Sequence, residues 1–245
     1  MTTHDGVWRI PTAHPALAAG EVHVWRVALD WPAPASLVQL LAADERQRAE
    51  RFHFERDRTH FVVGRATLRI LLGRYLGRPP EQLQFSYNAY GKPALPGAGP
   101  AFNLAHAHGL ALYAFSWGRA LGVDLEYIRG DIEAEQIAER FFSPAERAAL
   151  AQLPVAERRQ AFFSCWTRKE AYIKAHGLGL ALPLDQFDVS LAPGAPARLL
   201  ATHTDPADAA RWSLCALAPG PGWAAALAVA GHAWQLRCWQ GPPGS

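Results

Sequence analysis

The segment that most constrains this chain is residues 158–182, RRQAFFSCWTRKEAYIKAHGLGLAL, which reads as one amphipathic helix with a clear stop. Phe162, Cys165, Trp166 and Ile173 recur at near-helical spacing and make a core face. Gly177 and Gly179 then end the helix, since glycine enters left-handed backbone conformations at little cost. Arg168, Lys169, Glu170 and Lys174 sit mid-helix. Taken alone they form a solvated face, in which Glu170 and Lys174, four apart, pair for about 0.2–0.5 kcal/mol.

Some forty residues upstream, residues 121–128 read LGVDLEYI. Val123, Leu125 and Tyr127 alternate with Asp124 and Glu126, so a strand here sends both carboxylates to one face. An edge strand with its polar side in water is one reading. The other is a Mg²⁺ site completed by a helix carboxylate, because Mg²⁺ takes hard oxygen ligands, commonly one or two carboxylates with phosphate and water.

A chain of 245 residues makes one large domain or two small ones. The net charge of +2 argues against a bulk nucleic-acid binder, although local basic clusters can hold a phosphorylated ligand. The three cysteines, Cys165, Cys215 and Cys238, are odd in number and form no CxxC pair, so neither a disulfide framework nor a zinc site is expected. The first ten residues carry no apolar signal region, and the apolar run 223–230 falls short of the roughly 20 residues of a membrane span. The expected setting is a reduced cytoplasm, with no membrane and no nucleic acid as partner.

Along the chain, 21–29 favours strand and 31–34 a turn. Residues 36–76 read as two helices with a break near 53–57, rich in arginine. A short strand at 83–87 leads to a glycine-proline turn at 90–95 carrying Lys92. Residues 101–109, AFNLAHAHG, form another strand; His106 and His108 lack the third partner of a catalytic zinc site. Residues 111–117 are apolar on both faces, a buried strand, and Gly118-Arg119 turns it into the Asp124 strand as a hairpin. Residues 131–142 are helical, and Ser143-Pro144-Ala145-Glu146 carries a capping-box signature. Strands follow at 183–191, 211–217, 223–229 and 233–239, then a GPPGS tail. Each half holds a long helix that ends in glycine before a strand, 59–77 and 160–177, without residue identity to prove a repeat.

GVDLE at 122–126 and WTRKEAYIK at 166–174, with FFSPAE at 141–146 between them, together resemble the signature of the 4'-phosphopantetheinyl transferases of the broad-specificity, Sfp-like type. GKP at 91–93 and FNLAHA at 102–107 match further pieces, and the resemblance runs from about residue 42 to 191. It implies an α+β fold, a pseudo-dimer of two similar α+β halves with coenzyme A in the cleft between them. The N-terminal half, 1–118, takes the nucleotide side, and the C-terminal half, 119–245, the metal site and catalytic helix. Asp124, Glu126 and Glu170 are implied as Mg²⁺ ligands, and Glu170, Lys174 and His106 as catalytic groups. Arg48, Lys92, His106, Lys169 and Lys174 are implied as coenzyme A contacts, with Arg48 on the 3'-phosphate. Glu45 stands where the family often has a second basic residue. Ala105 and Ala107 replace serines, so a hydroxyl contact at 105 is expected to be lost.

The reaction implied is attack by a serine of an acidic, helical acyl or peptidyl carrier protein on the phosphorus next to pantetheine, releasing adenosine 3',5'-bisphosphate. The arginine-rich 46–74 region and FFSPAE are the expected docking surfaces, and the chain is expected to act as a monomer. Glu170 is both an implied ligand and the usual base. A Mg²⁺-dependent phosphohydrolase acting on coenzyme A or a related nucleotide would use the same carboxylates, and a protein that only binds coenzyme A or a carrier is a third reading.

Overall fold

The computed structural model describes residues 7–241; residues 1–6 and all but the first residue of the GPPGS tail lie outside the described residues. The first half opens with strand β1 (Glu21–Ala28) and helices α1 (Ala35–Gln39), α2 (Ala43–Glu50) and α3 (Glu55–Leu76), three helices where two were expected. A small hairpin, β2 (Ser86–Tyr87) and β3 (Pro93–Ala94), precedes β4 (Ala101–Ala107) and β5 (Leu110–Ser116). The second half repeats the order: β6 (Leu121–Tyr127), α4 (Ala134–Phe141), α5 (Pro144–Gln152) and the long α6 (Val155–His176). Then come β7 (Phe187–Val189), β8 (Leu199–Thr202), β9 (Trp212–Leu217), β10 (Trp223–Ala230) and β11 (Gln235–Gln240).

Two larger sheets result, β11-β1-β5-β4 and β6-β10-β9, beside the two-stranded β2-β3 and β7-β8. The order β1-β5-β4 in one matches β6-β10-β9 in the other, so the fold is a pair of similar α+β halves. Helix α3 covers one sheet, α6 the other, and Val24, Leu112, Val123 and Leu227 pack in the layer that joins them. The C-terminal strand β11 lies parallel to β1, which ties the chain's end into the sheet of the first half. Among the described residues no helix is long and apolar enough to cross a membrane.

The expected hairpin between β5 and β6 does not form. Gly118 turns with φ +68°, and β6 pairs instead with β10 in the other sheet. Arg119 fixes that crossing by donating to the carbonyls of Ala230 and Ala233. The tight hairpin of the region is β4–β5, whose two-residue turn places His108 at φ +41° and Gly109 at φ +77°, the left-handed pair that matches strand twist.

A buried acid–base pair braces each half at corresponding places. In the first, Glu45 on α2 accepts from the Ala42 amide at 2.8 Å and from Arg69 Nε on α3 at 2.7 Å. Arg69 also donates to the carbonyls of Pro80 and Leu83. In the second, Glu146 on α5 accepts from the Ser143 amide at 2.9 Å and pairs with Lys169 Nζ on α6 at 2.8 Å. Lys169 likewise donates to the carbonyls of Leu184 and Phe187. The Ser143 capping box forms as the sequence indicates. The expected strands at 83–87 and 183–191 are shorter in the structure, β2 at Ser86–Tyr87 and β7 at Phe187–Val189.

Candidate active site

Strand β6 and helix α6 touch backbone to backbone at Gly122, where an added Cβ would lie 2.2 Å from the Ala171 carbonyl oxygen and 2.3 Å from the Ala175 nitrogen. Only the absence of a side chain permits that approach, and it brings Asp124, two residues along the strand, within reach of α6. Asp124 is 4% exposed, and its Oδ1 accepts from Lys174 Nζ at 2.6 Å. Its Oδ2 is buried and has no hydrogen-bond partner.

Glu126 and Glu170 stand around this pair. Burial, then the charge of Asp124, push both carboxyls above the ordinary glutamate value, while Lys174 opposes the rise in each. Trp166, one helical turn before Glu170, donates to Glu126. Burial pulls Lys174 down, but the charge and hydrogen bond of Asp124, with Glu170 and Glu126, outweigh it and hold the ammonium above its usual range. Three repelling carboxylates and one cation make a site that favours positive charge.

Among the described residues, no three His, Cys, Asp or Glu side chains converge closely enough to hold a metal. The donor types, though not their spacing, suit a hard cation. All the oxygens are hard, Asp124 Oδ2 is buried without a partner, and each raised glutamate is relieved by a nearby cation. Lys174 supplies part of that charge already.

His106 projects from β4 and is exposed to solvent. Partial burial, then the charges of Lys174 and His60, hold its ring below the ordinary histidine value. His60 itself bonds Asp30 at 2.6 Å. Asn103, on the opposite face of β4, accepts from the Val123 amide at 2.8 Å and locks β4 beside β6. Between the halves lies a cavity of about 290 Å³ lined by Tyr90, Lys92, Asn103, Glu170 and Lys174 among others. A larger hollow of about 640 Å³ at the far end of α6 contains none of the three carboxylates.

The residues expected to contact coenzyme A fall in different surroundings. Lys169 is fully buried with its ammonium on Glu146, Leu184 and Phe187, so it faces the core of the second half and not the cleft. Lys92 Nζ donates to the carbonyls of Leu121, Lys174 and Ala175, which uses all three of its protons. Arg48 is exposed on α2 with its guanidinium 5.1 Å from the Phe61 ring centre. Glu45 is buried beneath Arg65 and Arg69, a bracing role closed to a cation. Ala105 is buried in the layer between the sheets, on the β4 face that also carries Asn103. Within the FFSPAE segment Phe142, Ser143 and Glu146 are buried, while Pro144 and Ala145 are exposed. Sequence reasoning missed Gly122, Asn103, His60 and Trp166 as parts of the site. Gly122 and Asn103 lie inside the motifs that it used, but only the packing reveals their tasks.

The family model described as 4'-phosphopantetheinyl transferase superfamily matches residues 120–228, and the one described as 4'-phosphopantetheinyl transferase, N-terminal, matches residues 30–116. The chain is 43% identical over 229 residues to the 4'-phosphopantetheinyl transferase HetI of a Nostoc species, covering 91% of this chain and 93% of that one. It is 32% identical over 155 residues to the 4'-phosphopantetheinyl transferase Sfp of Bacillus subtilis, covering 63% and 68%. A Bacillus pumilus 4'-phosphopantetheinyl transferase is 34% identical over 182 residues, covering 73% of this chain and 76% of that one.

Proposed function

Because this chain belongs to the 4'-phosphopantetheinyl transferase superfamily, we propose that it moves the 4'-phosphopantetheine group of coenzyme A onto a serine of a carrier protein. The serine oxygen bonds to the phosphorus next to pantetheine, the pyrophosphate P–O bond breaks, and adenosine 3',5'-bisphosphate leaves with the bonding pair. The observation that carries this reading is the Asp124–Lys174 pair with its partnerless carboxylate oxygen, beside two glutamates of raised pKa.

Asp124, Glu126 and Glu170 would hold Mg²⁺, which when bound supplies positive charge to the pyrophosphate oxygens. Lys174 neutralises a phosphate oxygen directly, since its ammonium is charged and partly exposed at the cleft. His106, neutral in the free protein, binds phosphate best when protonated. Glu170 accepts the serine proton, a task its raised pKa suits. Arg48 is the contact proposed for the 3'-phosphate. Lys169 and the Lys92 ammonium are left out of this scheme. Exposed Arg48, Arg51 and Arg56 favour an acidic carrier, because opposite charge speeds encounter.

Release of adenosine 3',5'-bisphosphate from coenzyme A, followed by chromatography with and without an apo carrier, tests the reading. Release that requires the carrier supports transfer. Release without it indicates hydrolysis.

A further inference from the structure

The last turn of any helix leaves carbonyl oxygens without intrahelical partners. In α6 these are met from the other half of the molecule. Lys92, just before β3, donates from Nζ to the Lys174 carbonyl at 2.5 Å and to the Ala175 carbonyl at 3.1 Å. Asn88, in the same hairpin, donates from Nδ2 to the Gly177 carbonyl at 2.7 Å. An ammonium here also meets the negative end of the helix dipole.

The hairpin is itself built to present these groups. Asn88 Oδ1 accepts from the amides of Tyr90 and Lys92 at 3.0 and 2.8 Å, which fixes the turn between them. The third proton of Lys92 goes to the Leu121 carbonyl at 3.1 Å, at the first residue of β6. One side chain of the first half therefore fastens the turn of α6 that carries Lys174 to the strand that carries Asp124. The Lys174–Asp124 contact of 2.6 Å lies between those anchor points.

We infer that Lys92 is a positioning residue: it caps α6 from across the cleft and sets the register in which Lys174 meets Asp124 and the substrate phosphates. This rests on the transfer reading above for its effect on turnover, but the cap itself does not. Burial lowers the Lys92 pKa to about 8, which leaves the three-proton ammonium as the main form at neutral pH.

The test uses the full chain with Lys92→Met, Lys92→Arg and Asn88→Ala. Hydrogen exchange at residues 174–178, measured without substrate, reads the cap. Steady-state kinetics with coenzyme A and a carrier read its consequence. Lys92→Met is expected to raise exchange at the end of α6 and to lower kcat about tenfold or more, with KM for coenzyme A moving less than about threefold. Lys92→Arg, which keeps several donors, recovers most of kcat. Asn88→Ala raises exchange with Lys92 in place, and supplies the exchange result if Lys92→Met does not fold. A rise in KM larger than the fall in kcat would make Lys92 a direct nucleotide contact and overturn the inference. So would unchanged exchange, or kinetics like those of the wild type. A chain with no transferase activity at all would defeat the proposed function while the exchange measurement still judged the cap.

Discussion

Lys169 and Glu146 meet inside the second half, Nζ 2.8 Å from Oε2, with side chains 0% and 2% exposed. Arg69 bears the same relation to Glu45 in the first half. The mid-helix lysine beside Glu170 thus fastens α6 to α5 and to the segment after the helix. Lys169→Met would leave a buried carboxylate and two carbonyls without their cation, a loss of about 3–5 kcal/mol. Thermal unfolding should show a clearly lower Tm, with KM for coenzyme A little changed in the folded fraction. An unchanged Tm with a raised KM would place Lys169 in the cleft instead.

Ala105→Ser should not improve coenzyme A binding. The Ala105 Cβ packs in the layer between the sheets, and a hydroxyl there without a partner costs about 1–3 kcal/mol. Denaturant unfolding should show the loss, and KM for coenzyme A should stay at the wild-type value. A lowered KM would mean that the residue-105 side chain reaches the cleft.

The contrast between those two positions shows what could be read in advance. The helix at 158–182 and its stop at Gly177 were legible because apolar period and glycine chemistry are local. Asp124 and Glu126 were legible as one face of a strand because strand alternation is local too. Lys169 was not, because facing the core or the cleft depends on Glu146, which arrives from α5. The contacts of Lys92 with the end of α6 were not legible either, because they form only when that helix end is placed beside the turn. The parallel pairing of β11 with β1 joins residues some two hundred apart and left no mark that short-range patterns can detect.

His106 gives a pH signature. Burial and neighbouring cations hold its pKa below 6.5 in the free protein, so it is neutral near pH 7 and a bound phosphate should raise it. Coenzyme A binding should then take up protons and tighten as pH falls toward 6. Calorimetry in buffers of different ionisation enthalpy reads that uptake, and His106→Gln should remove it. The sign for stability is the reverse: the unfolded chain binds more protons at this position, so the free protein loses stability as pH drops below about 6.5. Proton release on binding would contradict the assignment.

The two carboxylate roles separate by Mg²⁺ titration. Asp124→Ala removes an anionic ligand, so turnover should vanish at ordinary Mg²⁺ and recover in part at high Mg²⁺. Glu170→Gln keeps one oxygen donor but cannot take a proton, so kcat should fall about 10²–10⁴-fold without recovery. Metal affinity measured by calorimetry completes the test. Full recovery of Glu170→Gln by Mg²⁺ would make Glu170 a ligand only.

The central claim is that the cluster around Asp124 transfers phosphopantetheine to a carrier serine. Intact mass spectrometry of a panel of purified apo carriers, after incubation with coenzyme A, Mg²⁺ and either the wild-type chain or Asp124→Ala, tests it most directly. At least one acidic carrier should gain the phosphopantetheine mass with the wild-type chain and stay unmodified with the variant. Equal modification by both proteins, or no mass gain on any carrier while adenosine 3',5'-bisphosphate accumulates, would contradict it.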